Sequence, residues 1–585
     1  MLLVILLPIA ALWPVCDHAF TSWDDHDTVA ANPSLNPVTL HSLETWWTTP
    51  RMDLYVPVTY TVWGIIALFA GMSGPAGSPG VLDPVAFHTA NLVSHVLACL
   101  VVFELLRSLI GKPWPAAAGA LLFGLHPMQV EAVAWVSGTK DVLGGLLALA
   151  AVWQYVLAVR RGAEGESSRC AASRRDGWRW HYGIATVAFV LAVLAKPNEL
   201  VAPLIAGVLD VMVLGRSWRT AARWLWPWLL LAAAGVAAGK IVQPPAGVTH
   251  NVAIALRPIV AIATIGFYVR KLFWPFGLAA DYGLMPSVLA HSRWLIADAA
   301  FIVAAATALW LARRSARPMV AGALVFLAAL LPVLGFVTFD FQWFSNVADH
   351  YLYLPMFGVA LMAAWVAARW SGRTMATGAG IVIGALGIVS FMQAQYWADS
   401  ATLFRRVEAV NPNSAAAADA LALDAMGRGD TDAAIHWAEK TTRLRPTSPL
   451  GYIADAMALS HDNPDLAIAQ YHKALDLDPK DVATRNDLTT LLIRMDRYPE
   501  AEALARQDIS LDPRFAGAYF NLGVILFKEG KSAGAIAELQ KAVAIDPWSP
   551  QFRLVLGTVL EKAGRHREAL EQFAAARRLG QTAHR

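Results

Sequence analysis

The sequence predicts an all-α protein in two parts. Residues 1–395 read as a polytopic membrane helix bundle of about eleven spans, and residues 396–585 as an α-solenoid of helical repeats. Three observations carry this. The chain is 56% hydrophobic, with a mean hydropathy of +0.45 and 23 tryptophans, which is too apolar for an ordinary soluble protein. Its charge is uneven: 43 Asp, Glu, Lys and Arg fall in the first 395 residues, and 48 in the last 190. The last 190 residues also repeat at a nearly constant interval.

Apolar runs long enough to cross, or nearly cross, a bilayer occur at 2–16, 85–107, 113–127, 141–159, 181–195, 198–214, 224–241, 294–312, 318–337, 351–369 and 374–394. The first run lacks a basic leading region and reads as an uncleaved first helix. The loops between runs hold Arg107 and Lys112; Arg160, Arg161, Arg169, Arg174, Arg175 and Arg179; Arg216, Arg219 and Arg223; Arg313, Arg314 and Arg317; Arg369 and Arg373. With eleven crossings and a cytoplasmic start, every cluster falls on the cytoplasmic side. Two further runs, 55–71 and 254–275, would invert that pattern if they crossed. They read as re-entrant or interfacial helices on the outer face, and Arg270 and Lys271 suit a surface position. A count of twelve or thirteen spans stays open. An odd count places the C-terminus outside.

The tail gives its own signature. Ala433, Ala467, Ala501, Ala535 and Ala569 stand 34 residues apart, and Pro412, Pro446, Pro479, Pro513 and Pro547 follow at 34, 33, 34 and 34. Gly523 and Gly557 form another matched pair. This is the tetratricopeptide (TPR) period: two helices per unit, a small residue where they cross, and proline between units. About five units stack into a superhelix, a form used for binding far more than for catalysis.

Composition also excludes. The net charge of +3 comes from basic residues scattered between apolar runs, so no nucleic-acid partner is expected. Cys16, Cys99 and Cys170 lie far apart and suggest neither a disulfide framework nor a zinc site.

Chemistry is expected where polar residues gather on the outer face. Asp24 and Asp25, flanked by Trp23 and His26, could act as a general base or as oxygen ligands for a divalent cation, which they permit without requiring. The plainer alternative is a solvated loop with helix-capping Asp. His126, Glu131, Lys140 and Asp141 fall within sixteen residues and suit a polar floor for a phosphate-bearing head group, or a capped turn with a salt bridge. Lys196, before Pro197 at the end of a run, either snorkels or neutralises a lipid phosphate. Asp281-Tyr282 and Asp349-His350-Tyr351 complete the set, with an interfacial aromatic belt as the alternative. All these groups fall on one side of the membrane, as a single active site requires.

At these residues the sequence resembles the transmembrane-and-TPR protein O-mannosyltransferases and bacterial relatives of the same layout. The carriers are Trp23-Asp24-Asp25, Tyr55 to Thr59, Phe87 to His95, His126-Pro127 through Glu131, Lys140-Asp141, Ala195-Lys196-Pro197, Asp349 to Pro355 and Tyr396 to Phe404. The chain departs from the common pattern at Val56 and His350, where arginine is frequent. The resemblance implies a GT-C-like transmembrane domain over 1–395 and an extracytoplasmic TPR superhelix over 396–585. It implies a polyprenyl-phosphate-linked sugar as donor, membrane lipid as surroundings, and Ser or Thr of an acceptor polypeptide held by the TPR tail. The catalytic carboxylate would be Asp24 or Asp25, with Asp25 slightly preferred. Lys196, His126 or His350 would balance the charge of the leaving phosphate.

Two rivals compete: a non-catalytic membrane anchor presenting a TPR scaffold, and a flippase for lipid-linked sugars. An anchor needs few spans and no collected polar groups. A flippase calls for charges deep in the spans or inverted repeats, and neither is evident. The Ala- and Arg-rich composition points to a bacterium of high GC content, so the expected location is the inner membrane with a periplasmic site.

Overall fold

The computed structural model describes residues 1–51, 54–70, 82–167, 177–242, 252–370 and 372–582. Cys170 and the loop arginines Arg169, Arg174 and Arg175 lie outside these. The fold is all-α, and no β-strand forms among the described residues. It divides into two compact units, the first built from Met1–Gly71 with Asp83–Pro412 and the second containing Asn413–Arg585.

In the first unit each of the eleven apolar runs contains a helix. Among the described residues five helices are long and apolar enough to cross a membrane: Pro84–Ile110, Val136–Gly162, Gly177–Ala195, Leu295–Ala312 and Arg373–Trp397. Several others are shorter, such as Pro113–Leu125 and Met356–Arg369, while Trp218–Val242 runs for 25 residues. Proline opens the helices at Pro57, Pro84 and Pro113, where its missing N–H costs nothing and its φ is already helical. Pro84–Ile110 stops at Gly111, whose φ of 77° suits a left-handed cap. Helices meet through small residues. A Cβ on Gly322 would lie 2.6 Å from the Gly358 carbonyl oxygen, and one on Gly119 equally close to that of Ala360. Arg317–Leu330 and Pro113–Leu125 therefore touch Met356–Arg369 backbone to backbone. The two runs read as non-crossing are helices as well, Pro57–Phe69 and Arg257–Phe273.

Two stretches, the first buried and the second buried over most of 345–355, break the helical pattern, and they matter most for chemistry. Between Leu125 and Thr139 the chain passes through a 3-10 turn at Pro127–Gln129, a short helix at Val130–Ala134 and a second turn at Val136–Gly138. Irregular backbone that is buried must find partners outside its own ladder. Asn91 supplies one, donating to the Trp135 carbonyl (2.9 Å) while accepting from the Thr139 hydroxyl (2.6 Å). Ser390 donates to the Leu125 carbonyl (2.8 Å). The second stretch, 331–355, is held by Asn346, whose amide donates to the Thr264 hydroxyl (2.9 Å), and by the Tyr268 hydroxyl on the Ala348 carbonyl (3.1 Å).

The second unit is a solenoid of helix pairs, from Ala415–Gly427 with Thr431–Leu444 to Pro550–Lys562 with His566–Thr582. Ala467, Ala501, Ala535 and Ala569 are fully buried, as the spacing required. Ala433 is not; its neighbour Ala434 takes the buried place. The step from Ala434 to Ala467 is one residue short, matching the short proline interval from Pro446 to Pro479. Four of the five spaced prolines also have a side-chain donor on their carbonyls. Tyr452, Arg485, Tyr519 and Arg553 donate to the carbonyls of Pro446, Pro479, Pro513 and Pro547 respectively. Asn521, at a position suited to a ladder of backbone-binding amides, is 4% exposed and donates to Asn486 Oδ1 (2.8 Å) inside the solenoid.

Candidate active site

The first loop is welded to the irregular 127–139 stretch by Asp25. This carboxylate is fully buried and accepts from the Thr21 N–H (3.0 Å), the Thr21 hydroxyl (2.9 Å) and the Ser137 N–H (2.8 Å). Burial pushes it above the usual carboxylate range, and those hydrogen bonds pull the other way. Asp24 is its opposite. Its carbonyl accepts from Thr28, but its carboxylate has no hydrogen-bond or ion-pair partner among the described residues. Burial raises this carboxyl too, opposed by the nearby charges of Lys140 and His350.

Around Asp24 the structure gathers several residues singled out in the sequence. Lys140 sits over the Trp135 ring, 4.7 Å from its centroid, and the Trp135 Nε1 is buried without a partner. The ring of Trp135 tilts against His350 at 5.6 Å. Glu131 grips His350 twice, accepting from its backbone N–H (3.1 Å) and facing its Nδ1 (3.0 Å). These two residues are 219 apart in sequence, so the pair joins the two irregular stretches. Tyr351 packs edge-on against His350 at 4.3 Å, and Lys196 Nζ lies over the Tyr351 ring, 5.7 Å from its centroid. Lys196 also pairs with Asp141, which leaves Asp141 Oδ2 buried and unbonded. Trp23, next to Asp24, tilts against Phe344 and Phe404 at 5.6 and 5.9 Å.

The remaining candidates sit differently. His126 spends both ring nitrogens on backbone: Nδ1 accepts from the Met128 N–H (3.3 Å) and Nε2 meets the Leu272 carbonyl (3.2 Å). Asp349 accepts from the Tyr282 hydroxyl at 2.6 Å; burial and the neighbouring Glu131 carboxylate push its carboxyl well above the usual carboxylate range, against the opposing pull of Tyr282, Lys271 and Arg406. Asp281 caps its own turn through the Gly283 N–H (2.7 Å) and accepts from Asn411 (3.2 Å). No group of three or more His, Cys, Asp or Glu able to hold a metal occurs among the described residues.

Sequence reasoning passed over Thr21 and Ser137, the anchors of Asp25, and over Arg406. Arg406 lies on the helix Ser400–Val410, which belongs to the first compact unit although its sequence precedes the repeats without a break. The aromatic pattern Tyr396, Trp397, Phe404 was the available signal: Trp397 is buried, and Phe404 packs on Trp23.

Fold and site define the class: an apolar, many-helix membrane protein whose polar side chains gather in buried irregular loops, with a TPR solenoid attached. Comparisons with known proteins narrow it. Tetratricopeptide-repeat families match residues 486–550 and 526–584. The chain is 27% identical over 133 residues to Protein O-mannosyl-transferase Tmtc2 of Drosophila melanogaster, covering 23% of this chain and 13% of that protein. It is 36% identical over 93 residues to Protein O-mannosyl-transferase TMTC1 of Mus musculus (16% of this chain, 10% of that protein), and 37% over 87 residues to the Homo sapiens protein of that name (15% and 10%). The matches thus span little more than a tenth of those relatives. They bear out the resemblance to the transmembrane-and-TPR O-mannosyltransferases that the motifs carried. Among solved structures, a MamA double mutant is 21% identical and covers 31% of this chain and 96% of its own, with a TM-score of 0.25. Pseudomonas aeruginosa PilF is 24% identical over 28% of this chain and 74% of its own, with a TM-score of 0.26.

Proposed function

We propose that the chain is an integral-membrane glycosyltransferase of the GT-C type. It moves a sugar, mannose by the names of its relatives, from a polyprenyl-phosphate donor to Ser or Thr hydroxyls of extracytoplasmic proteins. The TPR solenoid holds the acceptor and raises its effective concentration. Eleven helices cross, the two short apolar helices at 57–69 and 257–273 lie at the outer face, and the site and solenoid share that side.

The observation that carries the reading is the contrast within the acidic pair. Asp25 has its hydrogen bonds filled and acts as the positioning residue of the first loop. Asp24 keeps a free carboxylate, raised by burial and so a better base than a solvated one, beside the Lys140 ammonium. In the reaction Asp24 takes the hydroxyl proton as the oxygen attacks the anomeric carbon. The bond from that carbon to the phosphate oxygen breaks through an oxocarbenium-like transition state, by analogy with glycoside hydrolysis. Glu131 fixes the His350 ring, and Lys196, held by Asp141, adds positive charge to the same wall.

Mass spectrometry of extracytoplasmic proteins, from cells with and without this chain, tests the reading. Loss of a hexose from specific Ser or Thr sites is expected. An unchanged pattern of modification would speak for the scaffold instead.

A further inference from the structure

The first unit draws its basic loops together at one end. Lys112 Nζ donates to the Ala368 carbonyl (3.1 Å), Arg317 to that of Val211 (3.0 Å), and Arg160 to that of Ser108. The Tyr182 hydroxyl donates to the Trp224 carbonyl (2.6 Å) and that of Tyr155 to Asp210 (2.7 Å), which brings the helix Trp218–Val242 to the same end. Asp24 and its neighbour Lys140 lie elsewhere. Lys140 stands near the start of the helix Val136–Gly162 and Arg160 near its finish, roughly 30 Å further on at 1.5 Å per residue.

The helix Trp218–Val242 has two faces. Ala221, Leu225 and Trp228 are buried, and Trp228 stacks on Phe189 at 4.8 Å. The other face carries Arg219, Arg223, Trp226 and Leu230, whose spacing sets them in one stripe. Trp226 is 57% exposed and Leu230 61%, and both arginines are exposed as well. Arg219 rests over the Trp218 ring at 5.5 Å, but neither arginine forms an ion pair or a hydrogen bond among the described residues. The Asp210 carboxylate at this end is already shared by Tyr155 and Arg216, the latter at 3.5 Å. Two cations one turn apart at the start of a helix oppose each other and the helix dipole. An anion from outside the chain relieves both conflicts.

We propose that this stripe seats an anionic phospholipid of the surrounding bilayer, its phosphate between Arg219 and Arg223, its glycerol backbone against Trp226 and an acyl chain along Leu230. The seat goes beyond the transferase reading and rests only on this helix crossing the membrane. The order of the side chains matches the order of the lipid. A phospholipid runs from phosphate through ester groups to hydrocarbon, and the stripe runs from cation through indole to aliphatic. Trp226 lies about 5 Å and Leu230 about 10 Å further in than Arg223, at the helical rise per residue. Charge selects the headgroup. Phosphatidylcholine brings its own cation and is neutral, whereas two guanidinium groups with no carboxylate favour a lipid of net negative charge.

The test is photo-crosslinking of the full-length chain in phosphatidylcholine nanodiscs. A minor fraction of the lipid carries a diazirine on its acyl chain, either as phosphatidylglycerol or as phosphatidylcholine, and mass spectrometry reads the labelled peptide. Phosphatidylglycerol should label the peptide holding Trp226 and Leu230. The double variant Arg219→Gln/Arg223→Gln should lower that yield about tenfold and leave phosphatidylcholine labelling unchanged. Arg313→Gln/Arg314→Gln, at the same basic end but off the stripe, should leave both yields intact. All four arginines are exposed, so both variants should fold. Equal labelling by the two lipids, or a phosphatidylglycerol yield unmoved in the first variant, would overturn the seat and keep the crossing helix. An equal drop in the second variant would reduce it to diffuse attraction and overturn it too. Displacement of the label by farnesyl monophosphate but not by unlabelled phosphatidylglycerol would assign the stripe to a substrate-like lipid instead. Labelling by neither lipid would remove both the seat and the crossing.

Discussion

The two units use charge in opposite ways. In the solenoid most ion pairs lie on helix surfaces one turn apart: Arg497 with Glu500, Arg506 with Glu502, Lys541 with Glu538, and Arg565 with Glu568. In the first unit local surface pairs such as Arg107 with Glu104 occur too, but several polar contacts are buried and span long sequence distances, as between Asp25 and Ser137, Glu131 and His350, or Tyr282 and Asp349. A solenoid in water can place charge almost anywhere on its surface at little cost. An apolar unit keeps only those charges that hold irregular backbone or serve a reaction, because each costs desolvation. Buried polar groups therefore mark the site in the first unit, whereas in the second they mark fold.

The sharpest test of this contrast is Asp25→Ala. It leaves the Thr21 and Ser137 N–H groups buried without partners, at a cost on the order of 1–3 kcal/mol each. The first unit should melt well below the wild type in a thermal scan in detergent. The solenoid has one feature of the same kind, the buried pair of Arg485 with Asp508 at 2.8 Å. Asp508→Ala should cost about 3–5 kcal/mol by stranding the guanidinium, read from denaturant unfolding of the full chain. A small effect there would mean that the solenoid hydrates its interior.

A third test uses pH. Burial pushes Asp419 up to about 6, against the pull of Thr441 and Arg445. The folded state then holds this proton more tightly than the unfolded state does, so its contribution to stability falls as pH rises from about 4 to about 6. Asp419→Asn should flatten that slope and leave the solenoid more stable at pH 7 than the wild type. The smallest effect belongs to the surface: Arg565→Gln, which breaks the pair with Glu568, should leave the melting temperature unmoved.

Legibility in the sequence followed the range of the interactions. The repeat register depends on small residues at fixed spacing, so Ala467 to Ala569 were readable, and the shift from Ala433 to Ala434 was already implied by the short proline interval. Apolar runs are equally local, and each became a helix. The identity of the polar residues was visible too, since charge in an apolar chain stands out. Their pairing was not. Nothing local says that Glu131 faces His350, or that Ser137 fills one oxygen of Asp25 and leaves Asp24 free. Arg406 was hidden for a related reason: its helix looks like repeat sequence but packs with the first loop, where the Ser22 N–H donates to Ser400 Oγ at 2.9 Å.

In the proposed reaction Asp24 is the base, in a wall that Asp25 only positions. The direct measurement is transfer of labelled mannose from polyprenyl-phosphate mannose to a Ser/Thr peptide by the purified, liposome-reconstituted chain. Asp24→Asn should lower the rate by about 10²–10⁴ while the melting temperature stays at the wild-type value. Transfer at the wild-type rate by Asp24→Asn would contradict it.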